Sequence, residues 1–334
     1  MSSGTDTRPA DVAVPDRPGE IRAVPVRHPG RWVAIAVIVV LVGMLVHLVL
    51  TNKEFDWHFV FQAMNQNAVL EGLVKGTLLV TALSMIVGVG GGVILAVMRL
   101  SANPILSGAA WIFTWFFRSI PRYILLFTMA TLGILFQQGL SFGVPFDWKI
   151  IDWLGLSGDW RFLNLDANQI FTGITAGVLG LGLSEAAYMA EIARAGILSV
   201  DTGQLEAAEA LGMSRGKAMR RVVLPQAMRV IVPPTGNETI AMLKDTSLLI
   251  AVPVTTELFY QLQSIGSTYY KTFPVAVAAT LYYLAATSVL MVGQYFLERH
   301  FGRGFGTKAP RAARPAGLPA GGAGSVPTGG AGGV

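Results

Sequence analysis

Between Trp32 and Leu50 the chain runs nineteen residues without a formal charge. A helix of that length measures roughly 28 Å, close to the thickness of the hydrocarbon layer of a bilayer. A secretory signal is the competing reading. The length of the run and the lack of a small-x-small cleavage site favour an uncleaved span. Comparable runs recur at Gly76–Met98 and Pro274–Phe296, and only 13% of the chain is charged against 52% hydrophobic. Soluble domains carry about a quarter charged residues, so the pattern predicts an all-α integral membrane protein.

Six crossings are expected: residues 32–50, 76–98, 105–136, 168–187, 231–252 and 274–296. The third is too long for a straight passage, and Arg118-Ser119-Ile120-Pro121-Arg122 interrupts it, so a bend is expected there. Residues 55–72 read as an interfacial helix, and residues 137–167 as an outer loop. Glycines 88, 90, 91 and 92 lower helix propensity in the second span but permit close helix packing in lipid. Residues 1–31 read as a disordered basic tail and residues 299–334 as a low-complexity tail, neither able to build a core.

Lysine and arginine placement orients the spans. Basic residues crowd the N-terminal tail, the segment after residue 190 and the C-terminal tail, whereas the loops assigned outside carry chiefly Lys53, Lys149, Arg161 and Lys271. Both termini and the central basic segment are therefore expected on the cytoplasmic face of the membrane. The net charge of +5 is spread in this way rather than gathered on one face, which argues against nucleic acid. There is no cysteine, and His28, His47, His58 and His300 lack ligand spacing, so neither a metal nor a cofactor is expected.

The central basic segment is polar yet has helical grammar. Glu206, Ala207 and Ala208 open a helix whose small residues let a partner approach the backbone. Gly212 can take the left-handed conformation that closes it, Ser214 can cap a second short helix, and Pro225 is expected to stop or kink the chain. The run Gly212–Ala218 is not a phosphate-binding loop. Its glycine spacing is one residue short, and Ala218 lacks the hydroxyl that magnesium requires. ATP hydrolysis, where required, must then belong to another chain.

The order E-A-A, three residues, G, nine residues, V, one residue, L-P across Glu206–Pro225 resembles the cytoplasmic coupling loop of ABC importer permeases. Val222 stands where the family usually has Ile. Ahead of it, Ala187-Tyr188-Met189-Ala190-Glu191-Ile192-Ala193-Arg194 fits A-Y-x-A-E-x-x-R. Gly203-Gln204 precedes the E-A-A, and Lys244-Asp245-Thr246-Ser247-Leu248 follows it. Together these resemble the polar amino-acid branch, the histidine/glutamine/arginine/glutamate group, over about residues 70–298. Arg118-Ser119-Ile120-Pro121 is similar to the family's R-G-T-P but has Ser-Ile for Gly-Thr, which leaves the role of that segment open.

The resemblance implies a type I permease fold and three kinds of partner. These are a second permease subunit, two ATP-binding subunits and an extracytoplasmic amino-acid-binding protein. It also implies that Gly203, Gln204, Glu206, Ala207, Ala208, Gly212, Leu224 and Pro225 couple the chain to the ATPase. The span at 32–50 and the loop at 137–167 are additions to the family's core.

Candidate pathway residues are Asn237, Glu238, Lys244, Asp245, Thr246 and Ser247. Intramembrane charges usually face a cavity, a partner or a pathway. Positions 238 and 245 lie seven apart and share a helix face, while Lys244 is turned about 100° from Asp245. A structural network is the alternative, and Thr246 and Ser247 can simply bond back to their own helix. Glu191 and Arg194 lie three apart and can pair, either as a surface ion pair or as a brace between the coupling loop and the fourth span. Glu185 reads as an interfacial acid or a contact for a substrate ammonium, and Tyr188 as an interface anchor. Two other classes remain. Glu238 and Asp245 would suit an ion-driven secondary amino-acid transporter, and Lys244 with Ser247 an intramembrane enzyme.

Overall fold

The computed structural model describes residues 29–302 apart from 137–138, 145, 156–160 and 253. Both expected tails lie almost wholly outside these residues. The chain divides into two compact units at Phe55/Asp56. The first contains helix α1, Pro29–Thr51, apolar on every side and with no buried residue. Such a helix is suited to lipid on all faces.

In the second unit, α2 (Trp57–Met64) and α3 (Asn67–Glu71) lead through a π-helical turn into α4 (Leu79–Arg99). The expected interfacial segment is thus two short helices, and the second continues into the span. Helix α5 (Pro104–Ser119) opens with Asn103 accepting from the N–H of Ile105 at 2.9 Å and with Pro104 in its first turn. Helix α6 (Arg122–Leu135) follows a break of two residues. Pro121 holds Ile120 extended (φ −96°, ψ 129°), so the bend anticipated in the third span is a complete interruption. Arg122 becomes the first residue of a new helix.

The segment expected to be an outer loop carries order of its own. Strands β1 (Leu140–Gly143) and β2 (Arg161–Leu165) pair antiparallel, and α7 (Asp147–Leu154) lies between them in sequence. After the single turn α8 (Ala167–Ile170), helix α9 (Gly173–Leu198) runs eleven residues beyond the expected end of the fourth span. Helices α10 (Thr202–Ala210) and α11 (Arg215–Ala218) form the central basic segment, and a π-helical turn joins α11 to α12 (Leu224–Asp245). Pro225 therefore does not stop the chain's helix: it follows directly on the π-helical turn Met219–Val223, and the run stays helical from Arg215 to Asp245. Past a 3₁₀ stretch come α13 (Leu258–Tyr269) and α14 (Thr272–Phe301).

Helix α13 was not among the expected elements. Its cap explains it: the buried carboxylate of Glu257 accepts from the N–H groups of Phe259 and Tyr260, and from the hydroxyls of Thr77 (2.9 Å) and Tyr283 (2.8 Å). Among the described residues, α1, the continuous helix Asn67–Arg99 and α14 are long and apolar enough to cross a membrane. Helices α9 and α12 have the length but carry charges along their course.

The centre of the unit is the seam between α4 and α9, which run parallel with small residues at the contact. A Cβ at Gly88 would lie 2.5 Å from Glu185 Cγ, one at Gly91 would lie 3.0 Å from Ala186 Cβ, and Gly92 lies against Met189. Without a hydrophobic difference between lipid and side chain, helices hold together by close packing. This seam brings the α9 backbone within reach of everything that packs on α4.

Candidate functional site

Helix α10 begins where Asp201 accepts from the N–H of Gly203 at 2.7 Å. It ends where Gly212, at φ +79°, lets its own N–H reach the carbonyl of Glu209 (2.9 Å) and the N–H of Met213 reach Ala208 (3.1 Å). Those two bonds are the paired closure that a left-handed glycine permits. Ser214 occupies the cap position of α11 with extended backbone but makes no side-chain capping bond there. Gly203, Gln204, Glu206, Ala207, Leu224 and Pro225 are exposed, whereas Ala208 is buried. At the tip between the helices Leu211 stands 85% exposed. The two short helices thus expose carboxylates and small residues, with Leu211 at the tip between them.

Deeper in the bundle four charges converge. Arg122 donates from Nη2 to Glu185 Oε2 at 2.9 Å and lies 3.6 Å from Glu238 Oε2; its Nη1 donates to Asp245. Glu185 is fully buried, and its second oxygen has no hydrogen-bond partner among the described residues. The guanidinium carbon also sits 5.1 Å from the centre of the Tyr188 ring, within cation–π range. Three carboxylates around one guanidinium leave a net charge of −2 when all are ionised. Removing one partner of such a buried group costs roughly 3–5 kcal/mol, because the others are left uncompensated.

Of the six candidate pathway residues, Glu238 and Asp245 meet on Arg122. Asn237 instead accepts from Gln294 Nε2 at 2.9 Å, tying α12 to α14. Lys244 is exposed and makes no ion pair among the described residues. Thr246 and Ser247 donate back to the carbonyls of Leu243 (2.8 Å) and Lys244 (2.7 Å), so their hydroxyls serve their own helix. Glu191 accepts from Arg194 Nε (3.0 Å) and Nη2 (2.8 Å). Its other contact is Arg99 at 3.5 Å, which directs the brace to the end of α4 and not to the coupling helices.

Sequence reasoning placed Arg122 only in the break of the third span, left Glu185 open between an interfacial acid and a contact for a substrate ammonium, and read Tyr188 as an interface anchor. The available signal for Arg122 was its place directly after Pro121: a helix restarting inside an apolar run puts its first charged residue at membrane depth.

Residues 88–303 match the family of inner membrane components of binding-protein-dependent transport systems. The chain belongs to this family. It is a multi-pass inner-membrane permease of the ABC importer type, and in this family the ATPase is a separate subunit. That finding sets aside the ion-driven transporter and the intramembrane enzyme. The chain is 43% identical over 293 residues to the arginine transport system permease protein ArgU of Corynebacterium glutamicum, covering 86% of this chain and 85% of that one. It is 33% identical over 255 residues to the probable amino-acid permease protein YxeN of Bacillus subtilis, covering 76% and 100%. Among solved structures it resembles an amino acid ABC transporter crystallised with histidines, at TM-score 0.53 and 29% identity over 70% of this chain and 94% of that one.

Proposed function

We propose that this permease carries amino acids inward and that its preferred substrate is cationic. The observation that carries the reading is the partly buried cluster in which Glu185, Glu238 and Asp245 outnumber Arg122 by three charges to one. An excess of carboxylates in a low-dielectric site favours a guanidinium or ammonium over an acidic side chain. The likeness to the arginine permease of Corynebacterium supports the same class.

In this reading the permease works as a pair with a second permease subunit, fed by an extracytoplasmic amino-acid-binding protein. Two ATP-binding subunits dock on the Glu206–Pro225 segment, with α10, α11 and both termini in the cytoplasm. The core acting in this way spans residues 70–298, and the helix at 32–50 is an added anchor. Closure of the ATPase pair pushes α10 and α11. Because α10 follows α9 directly and α11 runs on into α12, that push reaches Glu185 on one helix and Glu238 and Asp245 on the other. Separating those helices weakens the hold on a cation, and nucleotide then shifts the population between outward- and inward-facing states.

The test is ATP hydrolysis by the reconstituted importer with arginine, histidine, glutamine, glutamate and a neutral amino acid added singly. Stimulation by arginine is expected to exceed that by glutamate. Stimulation by glutamate alone would sink the cationic assignment.

A further inference from the structure

A second charged site lies beside the first. Along α9, Glu185, Tyr188 and Glu191 follow at intervals of three and form one stripe. Glu185 meets Arg122, the Tyr188 ring has Arg122 and Arg118 at 5.1 and 5.4 Å from its centre, and Glu191 meets Arg99. At the lower end of this stripe is a pocket of about 460 Å³ lined by Arg99, Trp111, Trp115, Arg118, Tyr188 and Glu191. The step from Glu185 to Glu191 is about 9 Å along the helix. It leads toward Leu198, the end of α9 that continues into the coupling helices.

The electrostatic balance of this pocket is the reverse of the cluster above it. Its one carboxylate, Glu191, is already engaged by Arg99 and Arg194. Arg118 has no carboxylate within ion-pair distance among the described residues, and Arg99 Nε is buried without a hydrogen-bond partner. Trp111 and Trp115 stack at 6.3 Å with an 11° interplanar angle and make an apolar wall. A guanidinium fork beside such a wall suits a carboxylate attached to an apolar or aliphatic stem.

Resting on the amino-acid reading above, we propose that this pocket is a release station, where the α-carboxylate of the departing amino acid is held by Arg118 between Tyr188 and the two tryptophans. The upper cluster engages the cationic end of the substrate, and the lower pocket engages its carboxylate on the way out. An amino acid accumulated on the coupling-helix side can occupy the same pocket and obstruct the next delivery.

The experiment uses the complete importer in proteoliposomes, with binding protein outside, ATP inside, and the lumen preloaded with unlabelled arginine. Uptake is expressed relative to each variant's own rate into empty vesicles. Wild type is expected to be inhibited by lumenal arginine. Arg118→Gln is expected to raise the half-inhibiting concentration at least about tenfold, the loss of one charge-assisted carboxylate contact. Arg118→Lys, which keeps the charge but not the fork, is expected to fall between.

Equal half-inhibiting concentrations in wild type and Arg118→Gln, or no inhibition of wild type, would overturn the release station and leave the amino-acid reading intact. A shift confined to vesicles containing phosphatidylglycerol, and missing in phosphatidylcholine alone, would reassign the pocket to a lipid headgroup. Failure of wild type to take up any amino acid would remove the amino-acid reading and this proposal with it.

Discussion

The two short helices α10 and α11 and the charge cluster around Arg122 are both polar interruptions of an apolar chain, yet they are built in opposite ways. Helices α10 and α11 are held by bonds between near neighbours: Asp201 to Gly203, Gly212 to Glu209, Met213 to Ala208. The cluster is held by residues 63 and 123 positions apart, on three helices, converging on Arg122. A locally built element keeps its shape while it is pushed, as a lever must. A cluster assembled from α6, α9 and α12 changes whenever those helices move, as a gated site must. In the reading proposed above, shape maintained locally and charge assembled globally are complementary parts of one coupling device.

Arg122→Ala tests this contrast most severely. It leaves three carboxylates together at membrane depth, at a cost of roughly 3–5 kcal/mol, which corresponds to a hundredfold or greater loss of uptake. The thermal midpoint of the purified subunit should fall as well, and the double variant Arg122→Ala/Glu185→Gln should recover part of it. Uptake within a few-fold of wild type would mean that the cluster is peripheral to the pathway.

Gly88→Val comes next. Its side chain must enter the space of Glu185 Cγ, and overpacking of this kind costs about 1–3 kcal/mol. Both stability and uptake are expected to fall, and a thermal midpoint equal to wild type would contradict the close α4–α9 seam.

Gly212→Val sharpens the other side of the comparison. A β-branched residue at φ +79° costs roughly 1–2 kcal/mol, confined to the turn between α10 and α11. Membrane insertion and ATP hydrolysis should persist while uptake drops about tenfold, the same measure of free energy. Glu206→Lys should act in the same direction. Normal uptake by both variants at normal protein levels would defeat the coupling assignment.

The smallest effect is expected at Asp56, far from both regions. A hydrogen bond from Lys271, together with the N–H of Phe59, holds its carboxyl below the usual carboxylate range. A depressed value in the folded state contributes stability above the unfolded value, near about 4, and that contribution disappears as pH falls through the folded value. Thermal midpoints of wild type and Asp56→Asn should therefore differ slightly at pH 7 and converge on acidification. A difference that grows in acid would reverse the sign of the argument.

Much of the fold and one of the two regions could be read along the chain. Apolar runs of bilayer length, the break at Pro121 and the turn at Gly212 depend on residues a few positions apart, which is how sequence patterns work. The face shared by Glu238 and Asp245 was likewise legible from helical spacing. Local rules also misled: Pro225 suggested a stop or a kink, but the helix runs on through it just past a π-helical turn. Glu257 gave no local sign that four donors would gather on it, because two of them come from α14 and from the turn before α4.

By itself, then, the sequence determined that the chain is a mostly helical membrane protein with a pair of short polar helices beyond residue 200, since hydrophobicity, caps and glycine conformations act over a few residues. Only the tertiary structure decided that Arg122 is the hub, that Glu185 is buried against it, and that Arg118 faces a pocket whose one carboxylate, Glu191, is already paired with Arg99 and Arg194. Those facts follow from which helices pack together. That packing is set by the small-residue seam between α4 and α9, whose contacts join residues nearly a hundred positions apart.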